Sequence, residues 1–227
     1  MQVFRNVVTG VIRRRHRLVH LGVFLVLAGP LVACTTLFPA QEKSIDTKLE
    51  KKALVHALQK GGYVIYFRHA ATDHSQKDSD RLIFSNCATQ RNLSEQGREQ
   101  SRAVGNAFRA LGIKVATVIT SPFCRCVDMG QLAFGEATTS EGLLFAISKD
   151  QQETKSLAVA LRTLLRTKPP AGANTVLISH SVNLKEATNV LPKSEGEAHI
   201  FDPRADGELS HIGRVLPEGW AELVELK

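Results

Sequence analysis

Three short apolar runs in this chain end in the same way, and that coincidence constrains the fold more than any other feature. Tyr63-Val64-Ile65-Tyr66-Phe67 runs into Arg68-His69-Ala70, Val115 to Thr120 into Ser121-Pro122-Phe123-Cys124-Arg125, and Thr175 to Ile178 into Ser179-His180. Each run has the length and the β-branched or aromatic content of a buried strand. Helical patterns lie between them. Ser94 is a candidate N-cap for a helix through Leu111, with Ala103, Val104, Ala107, Phe108 and Leu111 on one face and Gly112 as its stop. Asp150 with Glu153 forms a capping pair for another, with Leu157, Leu161, Leu164 and Leu165 at helical spacing before Pro169-Pro170. Gln41 to Lys60 reads as an earlier helix stopped by Gly61-Gly62, Glu197 to Val215 as two strands around Ala205-Asp206-Gly207, and Pro217 to Leu226 as a last helix. Strands that alternate with helices imply an α/β fold, a three-layer α/β/α sandwich with a mostly parallel central sheet.

In such a sheet, ligands bind beyond the carboxyl ends of the strands, where neighbouring loops converge. Arg68, His69, Arg125 and His180 are therefore expected in one pocket. Guanidiniums are planar, permanently charged forks that match phosphate oxygens, and imidazoles can act as nucleophile, acid or donor near neutral pH. That is the chemistry of a phosphoryl site. A neutral histidine nitrogen can attack phosphorus while the cations take up charge on the non-bridging oxygens, dividing a hydrolysis into two easier transfers.

At these residues the chain resembles the histidine phosphatase superfamily, the phosphoglycerate mutase and acid phosphatase group. The resemblance rests on the strand running into Arg68-His69-Ala70 with Thr72 beyond it, on Arg91-Asn92-Leu93-Ser94-Glu95-Gln96-Gly97-Arg98-Glu99-Gln100, similar to the family's Leu-Thr-x-x-Gly-x-x-Gln segment, and on Ser121-Pro122 followed by Arg125. It extends from about Tyr63 to beyond His180 and implies a phosphoglycerate mutase-like fold with neither cofactor nor metal. Carried over by position, it makes His69 the phosphorylated nucleophile and Arg68, Arg125 and His180 the phosphate pocket. The general acid is expected at Glu141, with Glu136 and Asp73 as alternatives; the acid phosphatase branch has an Asp directly after the second histidine, where this chain has Ser181. Thr72, Arg81 and Arg91 are candidates for contacts with the substrate, as are Lys185 and His74, against the reading that each is a solvated surface group. His56, His199 and His211 lack such context and read as structural.

The first 33 residues read as a targeting segment, the next 27 as a linker and helix, and 61–227 as the catalytic domain. Arg13-Arg14-Arg15-His16-Arg17 precedes an apolar run from Leu18 to Leu27 and the sequence Leu31-Val32-Ala33-Cys34. That run is short for a membrane span, which needs about 20 residues. Leu-Val-Ala-Cys resembles a bacterial lipobox, implying lipid on Cys34 and a domain anchored in the cell envelope, facing the periplasm. An uncleaved N-terminal anchor is the alternative. Residues 1–33 carry five arginines and no acidic residue, so the formal charge of +7 falls to about +2 without them. With no basic stripe interleaved with aromatics, nucleic acid is not an expected partner.

With Cys34 assigned to lipid, Cys87, Cys124 and Cys126 remain, and they lack the paired spacing of zinc sites. An exported compartment permits a bridge from Cys87 to Cys124 or to Cys126, bracing Arg125 against the loop after His69. The expected activity is phosphomonoester hydrolysis through phosphohistidine, on a small molecule such as a phosphorylated sugar or on an envelope glycan. The alternatives are a non-catalytic phospho-ligand-binding lipoprotein, a protein phosphohistidine phosphatase, or a mutase. Nothing in the sequence sets an oligomeric state.

Overall fold

A computed structural model describes residues 48–147, 150–203 and 209–227. The first 33 residues, read as a targeting segment, Cys34, the first part of the helix read from Gln41 and the turn at Ala205-Asp206-Gly207 lie outside the described residues. Six strands form one sheet: β1 (Val64–Arg68), β2 (Val115–Thr120), β3 (Thr138–Thr139), β4 (Asn174–Ser179), β5 (Ala198–Asp202) and β6 (Ser210–Val215), in the order β3-β2-β4-β1-β5-β6. The β3–β2, β2–β4 and β4–β1 pairs are parallel, whereas β5 is antiparallel to both β1 and β6. The architecture is the mostly parallel α/β sheet read from the sequence.

Six helices cover this sheet: α1 (Lys48–Lys60), α2 (Glu95–Leu111), α3 (Cys124–Phe134), α4 (Gln151–Arg166), α5 (Ser181–Thr188) and α6 (Gly219–Glu225). Successive residues of a strand face opposite sides, and β1 uses both. Ile65 and Phe67 pack into the core shared by α1, α2, α3 and α6, while Val64 and Tyr66 join Leu161 and Leu165 of α4 and Leu184 of α5 on the other face. β4 is buried along its whole length, with Val176 and Ile178 on the first side and Leu177 on the second. Both faces are thus apolar, which is why the two strands read as continuous hydrophobic runs rather than alternating ones. Phe67 packs 5.9 Å from the Trp220 ring and 6.3 Å from Phe108, anchoring β1 two residues before His69.

The caps of α2 and α4 match their sequence signals. Ser94 Oγ accepts the Gly97 N–H, Asp150 Oδ1 accepts the Glu153 N–H, and Gly112 closes α2 at φ 71°. α3 is different: its N-cap Phe123 makes no side-chain capping bond, so nothing in the sequence announces its start. Among the described residues, no helix is long and apolar enough to cross a membrane.

Candidate functional site

β1 and β4 run side by side and end together, with Arg68 opposite Ser179. The chain continues into His69 and His180, and the next bonds fix both backbones. The His69 N–H donates to Ser179 O at 2.9 Å, the Gly196 N–H to His69 O at 2.8 Å, and the Tyr66 hydroxyl to His180 O at 2.7 Å. Burial raises the Tyr66 pKa well above its ordinary value, so this hydroxyl remains a donor. The two imidazoles lie edge to face with centroids 5.4 Å apart, and both are almost wholly buried.

Sequence motif and geometry meet at residues 70–72. Ser94 donates both its N–H and its hydroxyl to Ala71 O, Gln100 Oε1 accepts the Ala71 N–H, and Leu93 bridges Thr72. A Cβ on Gly97 would fall 1.9 Å from Ala71 O, so only glycine permits this approach of α2. The Leu93-Ser94-x-x-Gly97-x-x-Gln100 pattern is therefore a clamp on the segment that follows the nucleophile candidate.

His69 Nδ1 lies 3.0 Å from Ala70 O. Only an N–H can bond a carbonyl, so the hydrogen is on Nδ1 and the Nε2 lone pair is free. Burial first, then the nearby charge of Arg125, with smaller effects from Arg68 and Arg91, lowers the His69 pKa to about 3. The ring is neutral and nucleophilic across the physiological range. His180 is also pushed well below its ordinary value, by burial and then by His69, Arg125, Arg91 and Arg68. Its Nε2 lies 3.0 Å from Ser121 Oγ, and its Nδ1 finds no hydrogen-bond partner among the described residues.

Arg125, on the first turn of α3, is fully buried, with Nη1 donating to Asp78 Oδ1 at 3.0 Å and to Arg91 O at 3.2 Å. Its guanidinium carbon stands 4.3 Å from the Phe123 ring centroid. Nε and Nη2 are buried and find no partner among the described residues, as is true of Arg68 Nε and Arg91 Nε. Buried donors are normally satisfied. Several unsatisfied guanidinium N–H groups thus lie close enough to lower the pKa of the same two histidines.

A disulfide joins Cys87 to Cys124, immediately before Arg125. The loop between His69 and α2 is thereby pinned to α3, and Gln90 adds a bond from the Cys124 N–H at 2.9 Å. Cys126 is free and buried, its thiol 3.9 Å from His180 Nε2, and burial raises its pKa to about 12. It is an inert packing thiol.

The other sequence candidates sit as follows. Thr72 is buried and turned to a carboxylate rather than held free, its hydroxyl donating to Glu195 Oε1 at 2.8 Å. Arg81 is exposed and Arg91 half-buried. His74, whose side chain is largely exposed, lies 3.6 Å from Glu195 Oε2. Glu141 is exposed on a 3-10 turn, Glu141–Leu143, and Glu136 is also exposed. From the segment after Glu141 it is Phe145 that reaches the site, 4.6 Å from the His180 ring. Asp73 accepts bonds from Ser75 and Gln76, which lower its pKa. Sequence reasoning missed Asp78, Gln90 and Glu195. Each acts across a long sequence separation, and no local pattern points to them.

Several solved proteins align in structure with about two thirds of this chain. They include the Mycobacterium tuberculosis open reading frame Rv3214 (14% identity, 66% of this chain and 95% of that chain, TM-score 0.48). The protein histidine phosphatase SixA complexed with tungstate aligns at 16% identity over 68% of this chain and 97% of that one, with TM-score 0.44. An Entamoeba histolytica phosphoserine phosphatase mutant in complex with phosphoserine aligns at 13% identity over 69% and 98%, with TM-score 0.48. No curated protein sequence matches the chain. Residues 64–143, which contain His69, the Ser94–Gln100 clamp and Arg125 but not His180 or Glu195, match the histidine phosphatase superfamily, branch 1.

Proposed function

We propose that the protein is a phosphomonoester hydrolase of this superfamily that works through a phosphohistidine on His69. The observation that carries the reading is the coincidence of a neutral imidazole with a free Nε2 and buried guanidinium donors that lack partners among the described residues. A phosphate dianion would satisfy those donors. In the first step the Nε2 lone pair attacks phosphorus, the bond to the leaving oxygen breaks, and its electron pair departs with that oxygen. Arg68, Arg125 and Arg91 take the charge on the three non-bridging oxygens. His180 contributes a donor if the Ser121 hydroxyl bonds Nε2 and leaves the hydrogen on Nδ1. Water then attacks phosphorus, giving a proton to the carboxylate that protonated the leaving oxygen, while the N–P bond breaks and its electrons return to Nε2.

We assign the proton donor for the leaving oxygen to Glu141, on the segment that brings Phe145 against His180. The leader supports export, lipid on Cys34 and a place in the cell envelope, where a phosphorylated sugar or glycan is the expected substrate. The test is chemical trapping. Brief incubation of the domain with a labelled phosphomonoester, then quenching without acid, should yield an acid-labile, base-stable phosphoenzyme that His69→Ala abolishes. Formation should persist at about pH 5, because a histidine of depressed pKa keeps its lone pair below the usual 6.5. A label on serine or cysteine, or full turnover by the variant, would overturn the mechanism.

A further inference from the structure

Glu195 lies on the loop between α5 and β5, far in sequence from every motif, yet it touches the segment around His69 at several points. Its side chain is 13% exposed. Oε2 accepts the Thr72 N–H at 3.0 Å and Oε1 the Thr72 hydroxyl at 2.8 Å, while Arg68 Nη2 stands 3.5 Å from Oε1. Oε1 is also 4.0 Å from His69 Nδ1, and the exposed His74 is 3.6 Å from Oε2. The neighbouring backbone is held in place by Gly196, whose N–H bonds His69 O and whose φ of 84° suits glycine.

The carboxylate thus approaches the ring on its Nδ1–H side, whereas phosphorus must approach Nε2. The leaving oxygen departs on the far side of phosphorus from the ring, so Glu195 is poorly placed to protonate it. Its oxygens already accept two hydrogen bonds from Thr72 and face Arg68, leaving it in the role of a fixed charge. One species in the proposed reaction has no counter-charge of its own at that edge. When Nε2 gives its lone pair to phosphorus, Nδ1 keeps its hydrogen and the ring becomes an N-phosphoimidazolium. The positive charge appears in a buried site that already holds Arg68, Arg91 and Arg125.

We propose that Glu195 is a positioning residue whose carboxylate is the counter-ion of the phosphorylated His69 ring, an inference that rests on the phosphohistidine reading above. It favours formation of the covalent intermediate and restrains its breakdown, because it stabilises the ring as a cation and not as a neutral leaving group. A carboxylate that only shaped the pocket or oriented Arg68 would help both half-reactions alike, since both pass through the same phosphoryl charge distribution.

Rapid-quench measurement with nitrophenyl phosphate separates the half-reactions, and its leaving group departs without a proton donor, so the result does not depend on the identity of the acid. For Glu195→Gln, the ratio of the rate constant for phosphorylation to that for dephosphorylation should fall about tenfold or more, about 1.4 kcal/mol. Glu195→Asp, which keeps the charge on a shorter side chain, should recover part of that ratio. A fall of that size with partial recovery supports the counter-ion role; a smaller change in the ratio, whatever happens to the separate rates, or no recovery in Asp, overturns it. If the unmodified protein forms no phosphohistidine, the functional reading itself fails, a result separate from any behaviour of the variants.

Discussion

Two close pairs of histidines occur among the described residues at nearly equal ring separations, 5.4 Å for His69 and His180 and 5.2 Å for His199 and His211, and only His211 of the four is not fully buried. Their polar surroundings differ. In the second pair His199 Nδ1 lies 3.1 Å from His211 Nε2, and His199 Nε2 is 3.3 Å from Glu197 Oε1. Glu197 also accepts the Lys193 and Ser194 N–H groups and the Arg214 guanidinium. Burial alone would raise its pKa, but the His199 contact and these backbone donors outweigh it and bring the value down to about 2. In the first pair His180 Nδ1, Arg68 Nε, Arg91 Nε and Arg125 Nε and Nη2 have no hydrogen-bond partner among the described residues. Burial therefore does not separate chemistry from structure; the gathering of unsatisfied guanidinium N–H groups from three arginines around one pair does.

The widest gap between the two regions should appear at the cations. Arg125→Ala should lower turnover by roughly a hundredfold or more, the scale of losing one strong electrostatic donor. Arg125→Lys should restore only part of it, because an ammonium cannot form the bidentate fork. Steady-state kinetics on nitrophenyl phosphate decide the matter, and full activity in either variant would erase the distinction between the pairs.

A smaller and more selective loss is expected from Glu141→Gln. If Glu141 protonates the leaving oxygen, hydrolysis of alkyl phosphates should fall far more than that of nitrophenyl phosphate, within the ~10²–10⁴-fold range of general acid catalysis. Equal losses on both substrates would show a structural role.

The smallest effect on activity should come from the second pair. His211→Asn should leave kcat within about twofold, as expected of a residue outside the transition-state contacts. Its signature is in stability. Burial, reinforced by the charge of His199, lowers the His211 pKa to about 4. The neutral ring therefore stabilises the fold fully above the unfolded value of about 6.5, and that contribution is lost as pH falls through about 4. Thermal unfolding across this window should be flatter with pH in the variant; an unchanged slope would remove His211 from the account, and a large loss of kcat would make the second pair catalytic.

What the sequence made legible is what local chemistry controls. Ser94 and Asp150 announce their helices because a cap acts within one turn, and β1 and β4 are visible because they are apolar on both faces. The residues around Arg125 were harder. Cys124 and Cys126 could not be told apart as partners of Cys87, and the reason lies in α3, which starts at Cys124. Two residues apart on a helix point about 200° from each other, so Cys124 meets the outer loop while Cys126 turns inward to Ser179 and His180. Without a capping signal for α3, that geometry was invisible. Glu195 was invisible for a different reason: its partner Thr72 is 123 positions away, and an isolated glutamate in a loop carries no pattern.

The clamp formed by Ser94, Gly97 and Gln100 has a consequence for how this chain can change in length. Its members recur every third position along the first turns of α2, so they share one side of the helix and together hold Ala71. Inserting or deleting one residue between 94 and 100 would rotate everything beyond it by about 100°. Gln100 would then leave Ala71 while Ser94 stayed, and the support of the segment behind His69 would be divided. Insertions near residues 80–82, where the chain is mostly exposed, no regular element is assigned and the bonds of Ile83 and Phe84 to Gln90 are left in place, would meet no such periodic constraint. Two stretches close in sequence thus differ sharply in the kind of variation they can absorb: one can lengthen, and the other can only be substituted.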